Sequence, residues 1–470
     1  MKRGLLRAVF LRRGSVALFA LVILAMPARA AVKIEEVQSQ GGITAWLVED
    51  HSVPVVSMDA AFRGGAALDP ADKRGLSNFV VDLLDEGAGD LDSTAYQSQL
   101  EDLAAQLNFN ASADMISVRL RSLAKNLAPS FDLLRLALTQ PRFDPEPVAR
   151  IRADILDGIA NEQRQPVALA SRLWWKTAFP DHPYGLSSRG TPETVNAITP
   201  DDLHAFVQHR FGKDNLIVAV VGDITPAQLK PLLDSTFGAL PAHALPDTVP
   251  DATDQAKSGV ETIDMPIPQS DVVFGEPGIK RGDPDWYAAL LDLNILSAGG
   301  LTSRVALEVR EQRGLAYSVS ANLDPLVHAG VILGQVGSQN AHVAETIQVI
   351  RNTWKRMHDE GPTAKELADA KTYITGSFPL GLDSTSRIAS VLISIQFDHL
   401  GIDYLAKRDA IINGVTLADA KRVAQRLLSP DKLLFVVVGQ PQNLQGAENV
   451  TPGGDNSHQG VPAHGLPAEH

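Results

Sequence analysis

Two hydrogen-bond donors stand out by their placement: Arg310 and Tyr317, within Gly299–Ser320, which reads GGLTSRVALEVREQRGLAYSVS. Gly299-Gly300 is a flexible entry, Thr302 or Ser303 suits a helix N-cap, and Gly314 suits the C′ position that ends the helix. Val305, Leu307 and Val309 supply apolar bulk, and Leu315–Ser320 alternates large and small side chains as a half-buried strand does. Arg310 therefore falls in the last helical turn and Tyr317 just past the break. A guanidinium and a phenol, both donors, are brought close at one helix–strand corner. On residue types alone, a plain amphipathic helix with Arg310 on its solvated face stands equally well.

Other chemistry is scarce. The chain has no cysteine, which excludes disulfides, thiolate metal sites and a cysteine nucleophile. No two of its twelve histidines are spaced i, i+4, and His204 and His209, five apart, point to different helix faces. No G-x-S-x-G elbow is present, although a Ser/His/Asp triad assembled in space stays open. Asp82, Asp85 and Glu86 cluster either as a weak site for a hard cation or as a solvated helix end.

Residues 1–30 carry Lys2, Arg3, Arg7, Arg12 and Arg13 ahead of an apolar Val16–Met26 and an Ala28-Arg29-Ala30 cleavage site. This is the pattern of a cleaved signal peptide, too short in its apolar part for a span of ~20 residues. Export to a periplasm-like space is expected, with no membrane insertion after cleavage. Without the six basic residues of that segment, 36 Lys and Arg face 55 Asp and Glu, a net charge of −19. Such acidity argues against nucleic acid or anionic membrane as a partner and is compatible with basic peptides.

At 470 residues and 44 % hydrophobic, two to four domains of ~150 residues are expected. Ile43–Val48, Val55–Phe62, Met115–Leu120 and Leu216–Val221 read as strands. Leu76–Leu84, Tyr96–Leu107, Leu127–Leu138, Pro147–Asn161, Ala168–Thr177 and Thr199–Phe211 read as helices. Residues 241–260, rich in Pro, Ala and Asp, read as a linker. Beyond it Ile198-Thr199-Pro200 with Leu216–Gly222 is echoed by Val415-Thr416-Leu417 with Leu433–Gly439, at a common offset of 217 residues. A duplicated α+β half follows, with boundaries at 31–240 and 261–442, and a disordered tail over 443–470.

The run R-E-x-x-G-L-A-Y at Arg310–Tyr317 resembles the C-terminal-half signature of the pitrilysin and mitochondrial-processing-peptidase family of zinc metallopeptidases. Arg63-Gly64-Gly65-Ala66-Ala67-Leu68-Asp69-Pro70 with Gly75-Leu76 resembles the lead-in to that family's inverted zinc motif. Gly185, Arg189–Val195, Asp202-Leu203, Asp214-Asn215-Leu216 and Gly222-Asp223 resemble its later landmarks, so the likeness covers residues 35–440. It implies two homologous halves, each a mainly antiparallel sheet packed with helices, forming half of a clam-shell.

The resemblance also implies an H-x-x-E-H directly after Gly75-Leu76, with two zinc-binding histidines around a glutamate base and a third, glutamate, ligand further on. Here the first histidine position is Asn78, the base is Val81, the second histidine is Asp82, and the third ligand position is Gly158. Valine moves no proton and glycine has no donor, so no zinc is expected in this chain. What the resemblance leaves is Arg310 and Tyr317, which in the family reach across to steady the oxyanion on the scissile carbonyl. It implies the non-catalytic subunit of a heterodimeric zinc endopeptidase. The partner would be a homologue with an intact H-x-x-E-H and its zinc, and the substrate a peptide or unfolded segment, with Gly299 and Gly300 as hinge. A peptide-binding scaffold without catalysis, and a self-sufficient hydrolase with an unfamiliar site, are the competing readings.

Overall fold

A computed structural model describes residues 33–252 and 257–450. The expected signal peptide lies outside these residues. Fourteen strands follow in order. The N-terminal half holds β1 (Glu35–Gln38), β2 (Thr44–Glu49), β3 (Val55–Arg63), β4 (Gly87–Ala88), β5 (Leu91–Asp92), β6 (Gln106–Ala111), β7 (Met115–Leu123) and β8 (Leu216–Gly222). The C-terminal half holds β9 (Gly259–Asp264), β10 (Gln269–Pro277), β11 (Ala316–Pro325), β12 (Gly330–Gln339), β13 (Leu434–Gly439) and β14 (Glu448–Asn449).

The two sheets run β1-β2-β8-β3-β7-β6 and β11-β12-β10-β13-β9-β14. Read from opposite ends, β2-β8-β3-β7-β6 and β9-β13-β10-β12-β11 are the same arrangement. In each, only the pairs β2·β8 and β9·β13 are parallel among these five strands. The echo seen in the sequence is thus a repeated fold, α+β as expected. Thr199 and Thr416 occupy matching sites: each caps a helix and forms a reciprocal box with Asp202 or Asp419. Removing such a cap costs about 1 kcal/mol. Thr416→Ala should therefore unfold at measurably lower urea, and an unchanged midpoint would show that the cap contributes nothing.

One face of each sheet is covered by its own half's helices. Phe79, Phe131, Phe211 and Phe237 fill the first core, and Phe274, Trp354 and Phe435 the second. The other face is covered by a helix from the opposite half. Helix Pro166–Ala178 lays Ala170, Trp174 and Ala178 on Val273, Val436 and Val438. Gly275 makes room there, since a Cβ at that position would meet the Trp174 ring at 2.7 Å. Helix Thr385–Phe397 lays Ala389, Leu392 and Ile393 on Trp46, Ala61, Ala219 and Val221. Asp59 accepts from Ser390 at 2.7 Å, and Arg63 donates to the Gln396 carbonyl at 2.9 Å, so this seam is polar as well as apolar. The halves are locked by exchange of one helix each.

Several element limits differ from expectation. The helix expected over Leu76–Leu84 ends at Val81, and Leu83 and Leu84 reach the core from turns instead. The helix expected over Tyr96–Leu107 spans Ser93–Asp102, because Asp92 caps it by accepting from Ala95 at 2.9 Å. It stops where Ala104 takes φ +48°, which frees Gln106–Ala111 to pair with β7. β9 begins at Gly259, inside the expected linker. The tail expected to be disordered from 443 contains β14, tied to β9 by Thr262 and to Lys257 through Glu448 at 2.6 Å.

Candidate functional site

Ser303 caps the short helix Arg304–Ala306, which widens into a π-helical turn at Leu307–Glu311; a second such turn spans Asn294–Ala298. Wide turns of this kind are rare and concentrate at functional sites. Gly314, at φ +64°, closes the helix with its N–H on the Arg310 carbonyl at 3.0 Å. The chain then enters β11, an edge strand with an irregular register between Ala316 and Val319. The Arg310 guanidinium sits 4.7 Å from the Tyr317 ring centroid, a cation–π stack. Its Nε lies 3.3 Å from Glu311. Tyr317 is 82 % exposed, and its hydroxyl has no hydrogen-bond partner among the described residues. Leu301 and Leu307, on the turns that precede it, are also exposed.

Gly300 holds φ +65°, which glycine tolerates best, and a Cβ on Gly299 would lie 2.5 Å from the Asn294 carbonyl oxygen. Turn geometry alone accounts for both glycines.

At the positions expected to have held a metal, the structure builds something else. Asn78 donates its amide to the Ser188 carbonyl at 2.6 Å, tying down the loop that carries Arg189. Val81 is 4 % exposed and belongs to the first hydrophobic core. Asp82 keeps contact with water, yet crowding by the protein around it pushes its carboxyl up to about 6, opposed by the charge of Arg189. Gly158 lies in helix Pro145–Glu162, and a Cβ there would meet Arg189 Nη1 at 3.3 Å. Arg189 Nε is also 3.0 Å from Glu162.

A guanidinium therefore stands beside the second-histidine and third-ligand positions. The donor set does not fit zinc: one amide, one carboxylate already shadowed by a cation, a valine and a glycine. Among the described residues no group of three His, Cys, Asp or Glu side chains could hold a metal ion. Asp85 accepts from Gln97 at 3.3 Å and Glu86 pairs with Arg150 at 2.5 Å, so the acidic cluster is spent on protein partners.

Next to these positions a cleft of about 530 Å³ opens between the halves. Ala66 and Arg74 line it from one side, Glu162, Arg172, Trp175 and Arg189 from another, and Asp324 and Leu326 from the C-terminal half. Arg310 and Tyr317 are not among its lining residues, and no hydrogen bond or ion pair joins them to Asn78 or Asp82. The expected residues thus form two separate places in one chain. Arg189 was legible in the sequence only as the residue before a Gly-Thr landmark; an arginine there was the one signal of its role.

Two family models match, and together they span most of the described chain. Residues 45–192 match insulinase, peptidase family M16, and residues 197–374 match the peptidase M16 inactive domain. The chain belongs to peptidase family M16. Within that family it is 27 % identical over 372 residues to an uncharacterized zinc protease of Streptomyces coelicolor, covering 77 % of this chain and 80 % of that one. It is 26 % identical over 344 residues to the non-peptidase homolog YmxG of Helicobacter pylori, covering 72 % and 78 %. Its fold is similar to the solved M16 inactive domain from Pseudomonas fluorescens, with TM-score 0.82 and 26 % identity over 88 % of this chain and all of that one. With the match to an M16 inactive domain and the likeness to a non-peptidase homolog, this is a catalytically inactive M16 chain, in keeping with Asn78, Val81, Asp82 and Gly158 at the positions where metal and base were expected.

Proposed function

We propose that this M16 chain is the non-catalytic subunit of an exported heterodimeric zinc endopeptidase. Its partner is a homologous subunit with an intact H-x-x-E-H, and its substrate a peptide or unfolded segment. The observation that carries this is the Arg310–Tyr317 pair, stacked, with Tyr317 exposed and its phenol unpartnered, in a chain whose described residues hold no group that could bind a metal ion. Two donors held ready on a surface have no use in their own chain's degenerate centre. Delivered to a neighbouring zinc site they would bind the scissile carbonyl as it gains charge. Leu301, Leu307 and the Tyr317 ring, all exposed, offer apolar surface for that neighbour.

The test is reconstitution. Purified residues 31–470 alone should be zinc-free and inert toward peptides, and should raise the activity of the nearest H-x-x-E-H homologue from the same cell. Peptidase activity of the chain by itself, with stoichiometric metal, would sink the reading. A second reading, a peptide-binding protein without catalysis, draws on the cleft between the halves. It predicts binding but no effect on the homologue.

A further inference from the structure

The cleft gathers three arginines whose bonding is incomplete. Arg74 is 5 % exposed, donates through its Nη atoms to the carbonyls of Ala66 and Pro183, and leaves its buried Nε without a partner. Arg172, on helix Pro166–Ala178, has no ion-pair or hydrogen-bond partner for its side chain among the described residues. Arg189 reaches Glu162 through Nε and turns Nη1 toward Gly158, where no side chain meets it.

Two acids line the same cleft. Glu162 is already neutralised by Arg189. Asp324 has no cation beside it, and burial, reinforced by Asp114, raises its pKa. Three guanidiniums line the cleft against these two carboxylates, with Asp82 outside the lining but within reach of Arg189's charge, although the chain as a whole is strongly acidic. The Trp175 ring also lines the cleft, held by stacking on Phe179 at 5.4 Å and 20°.

We propose that this cleft is a binding site for the C-terminal carboxylate of a peptide, with Arg172 and Arg189 as its cationic donors and Trp175 as the floor for the last side chain. A guanidinium fork matches a planar carboxylate through two parallel hydrogen bonds, and does so best in a cleft partly shielded from water. Its own chain leaves Arg172 free and Arg189 half-engaged. An aromatic face beside the cations suits an apolar or aromatic terminal residue. The site belongs to this chain alone and does not depend on a partner subunit.

Fluorescence anisotropy of a hexapeptide labelled at its N-terminus and ending in phenylalanine tests it on the mature chain without partner. The free acid should bind about tenfold or more tightly than the same peptide amidated, the effect of losing one charge-assisted contact. Arg172→Ala and Arg189→Ala should each erase most of that difference, while Arg189→Lys keeps part of it. Melting curves on the variants establish that they are folded. Equal binding of acid and amide overturns the proposal, as does no binding at millimolar concentration. So does an amidated peptide with an internal glutamate that binds as well as the free acid. Because no homologue is present, failure here leaves the reconstitution result untouched, and failure there leaves this one.

Discussion

Arg310→Ala, mixed with its zinc-bearing homologue, should lower peptide turnover by about 100- to 1,000-fold, the cost of removing one oxyanion donor. The loss should fall on kcat rather than KM, because the donor strengthens its hold only as the carbonyl oxygen gains charge. Arg310→Lys should recover little. Lysine keeps the charge but loses the flat stack on the Tyr317 ring, seen at 4.7 Å, that fixes the guanidinium plane. Tyr317→Phe should cost less than Arg310→Ala, since the ring that orients Arg310 remains and only the hydroxyl goes. Turnover by the Arg310→Ala mixture at the wild-type rate would mean that the pair plays no part in the chemistry. The zinc content of the partner should be the same throughout, which separates lost catalysis from lost assembly.

The second large effect concerns stability. Asp292 lies on helix Trp286–Leu293, is 1 % exposed, and neither carboxyl oxygen has a partner among the described residues. Arg304, the nearest cation acting on it, is held by both oxygens of Glu366 at 2.7 Å each. Burial pushes the Asp292 carboxyl up to about 8, with Arg304 opposing weakly. Above pH 4 the unfolded chain has lost this proton and the folded chain still holds it, so folding must take one up. Stability therefore falls from pH 4 toward pH 8, by up to about 1.4 kcal/mol per unit. Glu276, buried behind Trp354 and also pushed up to about 8, acts with the same sign.

Asp292→Asn removes one of these contributions and almost no volume. The variant should melt close to wild type at pH 4 and progressively higher than wild type toward pH 8, a gap on the order of 4 kcal/mol near pH 7. A gap that stays constant with pH would show that Asp292 is ionised in the folded chain.

Much of this was legible in the residues. Thr199 and Thr416, each followed by a buried strand ending in glycine at one common offset, announced the duplication, because cap and strand both depend on local chemistry. The Arg310–Tyr317 corner was legible for the same reason: Gly314 marks the break and the flanking periods change. β6 was not. Its residues Gln106–Ala111 alternate polar and half-buried side chains at an open edge, so their apolar signal is weak and the preceding helix pattern runs into them. Arg189 was equally hidden, since its partners Glu162 and Gly158 lie on a distant helix. The residue types at Asn78, Val81, Asp82 and Gly158 lead to the expectation of no zinc; only the three-dimensional arrangement shows which cation stands beside them.

The exchanged helices carry a consequence for how the chain is made. The outer face of β2, β3 and β8 is complete once residue 222 has been synthesised, but the helix that covers it ends at Phe397. Through all the intervening synthesis Trp46, Val48, Ala219 and Val221 have no native cover, while the second sheet meets its borrowed helix, Pro166–Ala178, already made and waiting. The exchange therefore ties both halves to the last stretch of synthesis: the N-terminal sheet is sealed only after residue 397, and the C-terminal sheet, though its borrowed helix is ready, lacks its interior strand β13 until residue 439.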